Sequence, residues 1–436
     1  MSNFGGAFHA FANQFAIDLN DKSSIAKVHL DLGRLANKRG IPESAKTHYQ
    51  LGLSYSRDIE DKGVTSELLQ NLGGIFDNAG DYDQAQGCYS EALALAEEIN
   101  DKRRVSAILQ NLGAMSGFQG QFEAADRYFQ QGLLSAQTCG DRERECALLQ
   151  NLGSSTGILG DTEKAKFYLH QSLNIAKELN LYEQIGYTLQ NIGVQEWKDG
   201  HFDTARKAFV EGLAIGRQLQ NPSLTVAFLQ SLGSLDVDTG NLADAELHLS
   251  EGLHLTREIG FIEREILVLH NLGTLAIQKE AKEDAVKFFI EALELARKMS
   301  YTEKISSCLT ALGALALEKK LYEDALSYLN ESLSLAKEIG SILAIVDCLI
   351  NLGSVYVELS ELDSANHLFI EALTLSKDHK LEAYVAFALC GLGEVSFARK
   401  QFADAQIKAS ESLSILETIG YKNFKKANQL MAKIPL

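Results

Sequence analysis

An all-α solenoid of helix-turn-helix repeats is the fold class that this sequence predicts, and three observations support it. The 436 residues are more than one compact core usually organises. Only 3 prolines occur among them, which favours long helices because proline removes a backbone hydrogen-bond donor. Written in rows of 40, the sequence aligns with itself without a gap.

A leucine-glycine pair recurs once in every row, and an alanine follows each glycine after twelve residues. The pairs, with isoleucine in one row, are Leu32-Gly33, Leu72-Gly73, Leu112-Gly113, Leu152-Gly153, Ile192-Gly193, Leu232-Gly233, Leu272-Gly273, Leu312-Gly313, Leu352-Gly353 and Leu392-Gly393. The alanines run from Ala45 to Ala405 at intervals of 40 residues, and a leucine lies eight residues beyond each. Ten copies in register indicate a true repeat array.

Each row predicts two helices with a turn between them. In the second row, Leu69, Leu72 and Phe76 lie three and four residues apart, as on one face of a helix. Ala85 and Tyr89 mark the same spacing in a second helix. Glycines that can adopt the left-handed conformation stand between such helices at Gly80, Gly120, Gly160, Gly200 and Gly240. Turn and N-cap residues separate the rows at Asn100-Asp101, Gly140-Asp141 and Asn221-Pro222.

The glycine of the first helix needs a packing reason, because glycine inside a helix costs about 1 kcal/mol relative to alanine. We expect the paired helix to approach closely at this place, with Ala85 of the second helix facing Gly73. One helix pair buries little surface alone, so stability accrues along the stacked array.

The spacing resembles the tetratricopeptide repeat (TPR). The matching residues of the second row are Leu69, Leu72, Gly73, Phe76, Ala85, Tyr89 and Ala92. Two features depart from the TPR pattern: Glu97 stands where a proline is usual, and the period is 40 residues, longer than the usual value of about 34. The longer period resembles that of Partner of Inscuteable-type adaptors. The resemblance implies a right-handed superhelix whose first helices line a concave, peptide-binding groove.

Residues 21–420 are expected to form ten repeats, flanked by residues 1–20 and 421–436. The first segment matches the second helix of a repeat and carries an aromatic stripe of Phe4, Phe8, Phe11 and Phe15. Two interpretations of the stripe stay open: a half-repeat that caps the array, or an exposed docking or homodimerisation surface. The last segment predicts a short amphipathic capping helix with Phe424, Ala427, Leu430, Met431 and Ile434 on one face.

The chain is acidic, with a formal charge of −17 from 58 acidic and 41 basic residues. Such a charge gives no counterion-release attraction, so we expect no nucleic-acid or anionic-lipid partner. No apolar run of about 18 residues and no signal segment opens the chain, which predicts a cytoplasmic protein without membrane insertion. The cysteines lack metal-ligand spacing, so no cofactor, metal site or disulfide is expected.

Catalysis is not expected either. One string, Gly153-Ser154-Ser155-Thr156-Gly157, matches the G-x-S-x-G nucleophile elbow of hydrolases. That motif requires a strand-turn-helix context, whereas the string lies inside a predicted first helix. No P-loop, HExxH or dinucleotide fingerprint occurs. The sequence therefore predicts a protein that is not an enzyme.

A ladder of carboxamides is the distinctive polar feature of the first helices. It comprises Gln70, Asn71, Gln110, Asn111, Gln150, Asn151, Gln190, Asn191, Gln230, Asn271 and Asn351. A helical wheel places the glutamines beside the predicted groove and the asparagines on its flank. The wheel adds to the groove-facing set Asp77, Phe118, Ile158, Tyr187, Trp197, His270, Ile277, Leu317 and Phe397.

Two interpretations of the ladder compete. In one, each amide bonds to the backbone of the adjacent repeat and stabilises the stacking. In the other, the amides bind the main chain of an extended peptide, because each carries donors and an acceptor. First helices about 10 Å apart match about three extended residues of roughly 3.3 Å each, so a peptide could meet one amide per repeat.

Two further observations bear on the predicted groove. Charge is nearly absent from the wheel between Gln110 and Ile158, which argues against a clamp for a terminal carboxylate. Trp197, the only tryptophan, is either a binding hot spot or plain helix packing.

These observations favour an adaptor that binds an extended or helical segment of another protein in its groove. The alternative is a peptide-responsive regulator, similar to bacterial quorum-sensing receptors built from TPR units. Such receptors usually carry an N-terminal effector domain, for which the 20 residues before the first row leave no room, so a separate effector would be needed. A third hypothesis, an enzyme or its regulatory subunit, is opposed by the lack of a convergent catalytic set.

Overall fold

The computed structural model describes residues 21–419 and 425–434, and every regular element within these ranges is a helix. The helices are α1 (Lys22–Lys38), α2 (Pro42–Asp58), α3 (Lys62–Asn78), α4 (Tyr82–Glu98), α5 (Lys102–Phe118), α6 (Phe122–Cys139), α7 (Arg142–Ile158), α8 (Thr162–Glu178), α9 (Tyr182–Lys198), α10 (Phe202–Gln218), α11 (Pro222–Thr239), α12 (Leu242–Ile259), α13 (Ile262–Gln278), α14 (Lys282–Lys298), α15 (Thr302–Glu318), α16 (Tyr322–Glu338), α17 (Ile342–Glu358), α18 (Leu362–Asp378), α19 (Glu382–Ala398), α20 (Phe402–Thr418) and α21 (Lys425–Lys433). The predicted all-α repeat fold is confirmed.

The helices form pairs that repeat every 40 residues. Repeat positions are numbered from 1 at Asp21, so that the odd-numbered helices α1 to α19 begin at position 2 and the even-numbered helices α2 to α20 at position 22. The odd-numbered helices are the first helices of their repeats, and the even-numbered ones are the second helices.

The chain divides into two compact units, a division that the sequence did not predict. Unit 1 ends at Leu224 and unit 2 begins at Thr225. Each helix packs against the next from α1 to α10 in unit 1 and from α12 to α21 in unit 2. Within these ranges, successive first helices also contact one another, whereas successive second helices do not. The first helices therefore form the inner side of each stack.

A left-handed residue ends the helices at every twentieth residue from Gly40 to Lys400. The glycines predicted for this role adopt it, as at Gly80 with a φ of 77°. Ten such turns use a residue other than glycine, for example Asn100 with a φ of 54°. The backbone amides of Gly80 and Asp81 donate to carbonyl groups of the preceding turn at 2.9 Å, which satisfies acceptors at the helix end.

Side-chain caps begin several of the first helices, as the turn residues between rows predict. The carboxylates of Asp101 and Asp141 accept hydrogen bonds from the backbone amides of Arg104 at 3.0 Å and Arg144 at 3.2 Å. Each bond satisfies one of the donors that a helix leaves without an intrahelical partner.

The glycine at position 13 makes room for a large side chain of the second helix. A Cβ atom built on Gly113 would lie 2.4 Å from the ring of Phe129, and one built on Gly73 would lie 2.8 Å from the ring of Tyr89. The expected close approach at the alanine is seen in repeat 4, where the Ala165 carbonyl oxygen would lie 3.2 Å from a Cβ built on Gly153. The expectation did not include the large side chain at position 29. Ala85 is buried, but the Tyr89 ring occupies the space beside the glycine.

A second close backbone approach within a repeat lies between positions 6 and 32. The Ser66 hydroxyl donates to the Ala92 carbonyl oxygen at 2.7 Å. A Cβ atom built on Gly52 would lie 3.3 Å from the Ala26 carbonyl oxygen. Position 32 holds only glycine, alanine or serine in the ten repeats, because a larger side chain would separate the two helices.

The last repeat is completed by α21. Position 29, which carries an aromatic residue or leucine in the other repeats, is Ala409 in this one. Leu430 of α21 reaches the vacant space, since its Cδ2 would lie 2.9 Å from a Cβ built on Gly393. Ala427 and Leu430 are buried in a cluster with Cys390 and Ala409. The phenylalanine stripe of residues 4–15 and the predicted Phe424 contact lie outside the described residues.

Candidate binding surface

The first helices share one line of side chains that lies opposite their core. Positions 3, 7, 10, 14 and 18 follow one another at three or four residues and so lie on one helix face. In α5 these positions hold Arg103, Ala107, Gln110, Ala114 and Phe118. The surface that these positions form across the repeats of one unit is called the first-helix face.

The glutamines at position 10 bond across the first-helix face to position 4 of the following repeat. The side-chain oxygen of Gln110 accepts from Arg144 Nη1 at 2.8 Å, and that of Gln150 accepts from Gln184. In unit 2, Gln230 accepts from Arg264 at 3.4 Å. Gln70 and Gln190 are likewise half-buried. These bonds join neighbouring repeats through side chains, whereas the stacking interpretation expected backbone partners.

The asparagines at position 11 bond in two ways. Asn191 donates to the Ser154 hydroxyl at 2.9 Å, and Asn271 donates to the Ser234 hydroxyl at 2.7 Å, so both join a first helix to the one before it. Two others bond within their own helix: Asn71 to the Glu67 carbonyl at 2.7 Å, and Asn351 to the Asp347 carbonyl at 2.9 Å. Asn111 and Asn151 are half-buried.

His270 occupies the glutamine position in repeat 7 and lies within the packing of unit 2. Its Nε2 is 2.8 Å from the Ser307 hydroxyl, and its ring meets the Phe289 ring edge-on with centroids 5.2 Å apart. Burial, assisted by the charge of Lys304, lowers the pKa of His270 to about 4. This histidine is neutral at physiological pH and serves as a packed polar residue.

Trp197 lies at position 17 of α9 and packs within its own repeat. Its ring meets that of the buried Phe209 edge-on, with centroids 6.4 Å apart, and the side chain is half-buried. This geometry favours the packing interpretation of Trp197. Tyr187, two to three turns earlier on α9, is exposed, and its hydroxyl donates to Glu183 at 3.5 Å.

Phe118 and Ile158 present the strongest exposed apolar surface of the first-helix face in unit 1. They are 81% and 53% exposed and occupy position 18 of two successive first helices. The second helices also expose large apolar side chains, such as Phe167 at 58%. Isolated exposed hydrophobic residues need no explanation, but neighbouring ones mark a candidate contact surface.

A cavity of about 260 Å³ lies beside Ile158, between α7 and α9. Its floor includes Gly153 and Gly157, and its far wall includes Val194 and Lys198. Gly157 is tightly placed, because a Cβ atom there would lie 2.6 Å from the side-chain oxygen of Gln195. The apolar end of the face therefore combines two exposed side chains with a notch that a partner's side chain could enter.

A larger cavity of about 660 Å³ lies at the other end of the same helices. Its lining is polar and charged: Arg103, Gln110, Asp141, Glu143, Arg144, Ala147, Leu181, Tyr182, Glu183 and Gln184. The expectation that this part of the face lacks charge is wrong. Position 3 lies two helical turns before position 10 on the same face, a relation that the wheel drawn from residues 69–76 left out.

The cations of this cavity are already paired. Arg103 Nε lies 3.0 Å from a carboxylate oxygen of Asp141, and Arg144 Nε lies 3.8 Å from it. Glu143 and Glu183, at position 3 of α7 and α9, add two acidic groups at the rim. The cavity is therefore suited to polar main-chain groups more than to a terminal carboxylate.

The remaining wheel predictions lie in varied surroundings. Asp77 is half-buried and accepts from the Tyr89 hydroxyl, and burial raises its pKa above the usual range. Ile277 is exposed, and Leu317 and Phe397 are half-buried.

The hydrolase-like string of residues 153–157 is helical throughout, as part of α7. The Ser155 hydroxyl donates to the Leu152 carbonyl oxygen at 3.2 Å, within the helix. Among the described residues, no group of three or more His, Cys, Asp or Glu side chains is placed to hold a metal ion. None of the described helices is long and apolar enough to cross a membrane.

Stacked helix pairs with an open inner face define a helical-repeat scaffold. Family models described as tetratricopeptide repeat match residues 64–137, 267–299 and 304–378. Tetratricopeptide repeats are therefore detected in these three stretches, as the spacing of their leucines, glycines and alanines predicts. The finer similarity to Partner of Inscuteable-type adaptors stays a prediction. Comparison with curated protein sequences gives no match.

Solved structures show the same fold at low sequence identity. A signal transduction ATPase with numerous domains from Pyrococcus horikoshii, which has a tetratricopeptide repeat sensor, is 17% identical with a TM-score of 0.59; the match covers 82% of this chain and 54% of that one. The quorum sensor NprR from B. thuringiensis is 14% identical with a TM-score of 0.55, and the match covers 83% and 99% of the two chains. A Rap protein complexed with competence and sporulation factor is 16% identical with a TM-score of 0.52, over 82% and 98%.

Proposed function

We propose that this protein is a protein-interaction scaffold that binds a segment of a partner protein on the first-helix face of unit 1, across α5, α7 and α9. The observation that carries the proposal is Phe118, a phenylalanine 81% exposed beside Ile158 and a small cavity. Burying such a side chain against a partner contributes about 1.5–3 kcal/mol. Aromatic residues of this kind are frequent binding hot spots.

The polar cavity supplies the second element of recognition. Gln110 uses its side-chain oxygen to accept from Arg144, which leaves its amide N–H groups for a ligand carbonyl. Glu143 and Glu183 at the rim supply carboxylate oxygens that can accept from N–H groups of the ligand. A bound segment would place an apolar side chain at Phe118 and its main chain or polar groups at the cavity.

The carboxamides have a double role in this proposal. The bonds of Gln110, Gln150, Asn191 and Asn271 between repeats hold the first helices in register, and the N–H groups of Gln110 face the ligand. The formal charge of −17 favours a protein partner over nucleic acid, and we place the protein in the cytoplasm. The 40-residue period, which resembles that of Partner of Inscuteable-type adaptors, supports an adaptor role.

The test uses a photo-crosslinking amino acid in place of one phenylalanine at a time. A crosslinker at Phe118 is expected to capture the partner from cell extract, whereas one at Phe167, on the second helix α8, is not. The two phenylalanines are both exposed, so Phe167 controls for general stickiness. With the identified partner, Phe118→Ala should weaken Kd about tenfold while Phe167→Ala leaves it unchanged.

The ladder is tested with the same partner. A folded Gln110→Ala/Gln150→Ala variant should lose affinity, and adding Trp197→Ala should change it little because Trp197 packs on Phe209. Unchanged affinity in both the Phe118→Ala and the double glutamine variants would remove this face from the binding function.

A second candidate is a peptide-responsive regulator that acts through a separate effector. It is supported by the fold shared with the quorum sensor NprR and with the Rap protein bound to competence and sporulation factor. Isothermal titration with short peptides separates the two candidates. A regulator binds a free peptide tightly and changes its affinity for an effector, whereas an adaptor binds the segment within its partner.

A further inference from the structure

Two acidic residues occupy position 7 of the first helices, one in each unit. They are Glu67 in α3 and Asp347 in α17, which lie seven repeat periods apart. The other repeats hold lysine, alanine, leucine, serine or an aromatic residue at this position. The same backbone frame therefore presents a carboxylate on the first-helix face twice, in different surroundings.

Glu67 is held by two arginines from the neighbouring first helices. Arg104 Nη1, at position 4 of the next repeat, lies 3.1 Å from Glu67 Oε2, and Arg34 of the preceding repeat pairs with Oε1. Both carboxylate oxygens thus face a guanidinium. This arrangement shows where the repeat geometry brings a cation to an acid at position 7.

Asp347 lacks both of these cations. Ala314 stands at the place of Arg34 and Tyr384 at the place of Arg104, each seven periods further along the chain. The contacts of the Asp347 carboxylate include Asn351 Nδ2 at 3.3 Å, from its own helix. Within residues 21–419 and 426–434 it forms no ion pair. Burial raises its pKa to about 6, as expected for a carboxylate that no cation stabilises.

An aromatic residue holds the position of the next first helix from which Arg104, in repeat 3, reaches Glu67. Tyr384 of α19 packs on the α17 cluster that contains Ile345, Val346 and Leu349. Its ring meets that of Phe387, at position 7 of α19, edge-on with centroids 5.8 Å apart. A carboxylate beside aromatic rings attracts a cationic group, since the ring face adds to the attraction of the charge.

The same face of unit 2 already binds one lysine of this chain. Lys426 of α21 places its Nζ 3.0 Å from Glu394 and 3.0 Å from the Ser354 hydroxyl, both at position 14. Position 14 lies two helical turns, about 10 Å, beyond position 7. An ammonium group can therefore reach this surface, and Asp347 is the acid that Lys426 does not occupy.

We propose that Asp347 and Tyr384 form a binding site on the first-helix face of unit 2 for a lysine or arginine side chain of a partner segment. The proposal rests on the scaffold function proposed above and gives it a chemical preference: a basic segment. The formal charge of −17 adds long-range attraction for such a partner.

The first experiment asks whether the site accepts a guanidinium, without any partner. Tyr384→Arg places an arginine at the position that Arg104, the partner of Glu67, occupies in repeat 3. Tyr384→Gln is the neutral control. Tyr384→Arg should have a higher Tm than Tyr384→Gln, and the difference should vanish in an Asp347→Asn background. Equal Tm values of Tyr384→Arg and Tyr384→Gln in the chain that keeps Asp347 would overturn the proposal, because the carboxylate would then be out of reach of a cation.

The second experiment selects ligands from a random dodecapeptide library displayed on phage, with the full chain as target. Recovered peptides are expected to share a lysine or arginine. Asp347→Asn should weaken the Kd of a synthetic copy about tenfold or more, since a charge-assisted bond at a half-buried site is lost. Asp324→Asn, which removes an exposed charge from the second helix α16, should change the Kd less than about twofold, in line with screened surface charges.

Failures of the two proposals give different results. Peptides that bind equally well to the wild type and to Asp347→Asn overturn the cation site and leave the scaffold function intact. Recovery of no binding peptide counts against the scaffold function, and the cation site falls with it.

Discussion

The two units share one repeat frame and differ on the face that it presents. In both, a left-handed residue ends each helix and position 13 is glycine. Successive first helices of unit 1 are joined by amide and guanidinium groups, as in the bond between Gln110 and Arg144. Unit 2 has one such bond, between Gln230 and Arg264, and its later first helices are joined by other groups: His270 meets Ser307, and the Thr310 hydroxyl lies 3.3 Å from the Cys348 sulfur.

The difference teaches that frame and surface are set by separate residues. Positions 13, 25 and 32 hold only small residues in all ten repeats and let the paired helices approach closely, and position 29 fills the space beside the glycine with a large side chain in nine of them. Positions 3, 4, 7, 10 and 14 face neighbouring first helices or solvent and vary in charge and polarity. In our proposals the two units recognise different chemistry with the same backbone, unit 1 through Phe118 and its polar cavity and unit 2 through Asp347. Four predictions test this separation.

The largest effect is expected where the frame of unit 2 depends on α21. Leu430→Ala should destabilise repeat 10 by about 2–4 kcal/mol, because it opens a cavity beside Gly393 and Ala409. Hydrogen exchange in α19 and α20 measures the loss. Ala409→Leu in the same chain should recover part of the lost stability, since the other nine repeats fill this space with a large side chain from position 29. Unchanged exchange in Leu430→Ala would show that α21 does not complete the repeat.

His270 gives unit 2 a pH dependence that the glutamines of unit 1 lack. Its pKa falls from 6.5 to about 4 on folding, so the unfolded chain binds a proton that the folded chain does not. Stability from this group is complete above pH 6.5 and is lost as the pH falls, by about 2 kcal/mol at pH 5. Urea unfolding at pH 7.5 and 5.0 should therefore differ more in the wild type than in His270→Gln. If the unfolding free energy of the two proteins changed equally between these pH values, His270 would not be the source of the pH dependence.

The glycines of α5 separate frame from surface within one helix. Gly113→Ala should destabilise by about 1–2 kcal/mol because its Cβ meets the buried Phe129 ring. Gly117→Ala meets nothing within 4 Å and should stabilise by up to about 1 kcal/mol through helix propensity. Gly353→Ala in unit 2, which meets Phe369, should repeat the loss. Thermal unfolding of the three variants shows whether each substitution raises or lowers the stability. A higher stability of Gly353→Ala would contradict a packing role of position 13 that both units share.

The frame could be predicted from the sequence because its signals recur ten times. The period, the helix pairs and the glycine turns follow from the spacing of leucine, glycine and alanine. The partner of Gly73 was missed, although position 29 is large in nine repeats, because the alanine signal is more regular. The division at Leu224 leaves no trace in this spacing.

The surface could be predicted only in part. A helical wheel gives the direction of a side chain and so identified Phe118. It does not show which neighbour a long side chain reaches, since that depends on rotamers and on the following repeat. The bond from Arg144 to Gln110 and the charges of the polar cavity therefore emerged only from the structure.

The two acids at position 7 give the smallest stability effects and the sharpest contrast, because their signs should be opposite. Glu67→Gln removes the charge that Arg34 and Arg104 share and should destabilise by about 1 kcal/mol.

Asp347→Asn removes a half-buried carboxylate without a cation, and its side-chain oxygen can still accept from Asn351. It should stabilise by about 1 kcal/mol at pH 7.5, and this gain should shrink as the pH falls through about 6, where Asp347 takes up a proton in the folded protein. Urea unfolding of both variants at pH 7.5 and 5.5 measures the four values. Destabilisation by Asp347→Asn at pH 7.5 would mean that the carboxylate is already neutralised within the chain, and unit 2 would then have no need of a basic ligand.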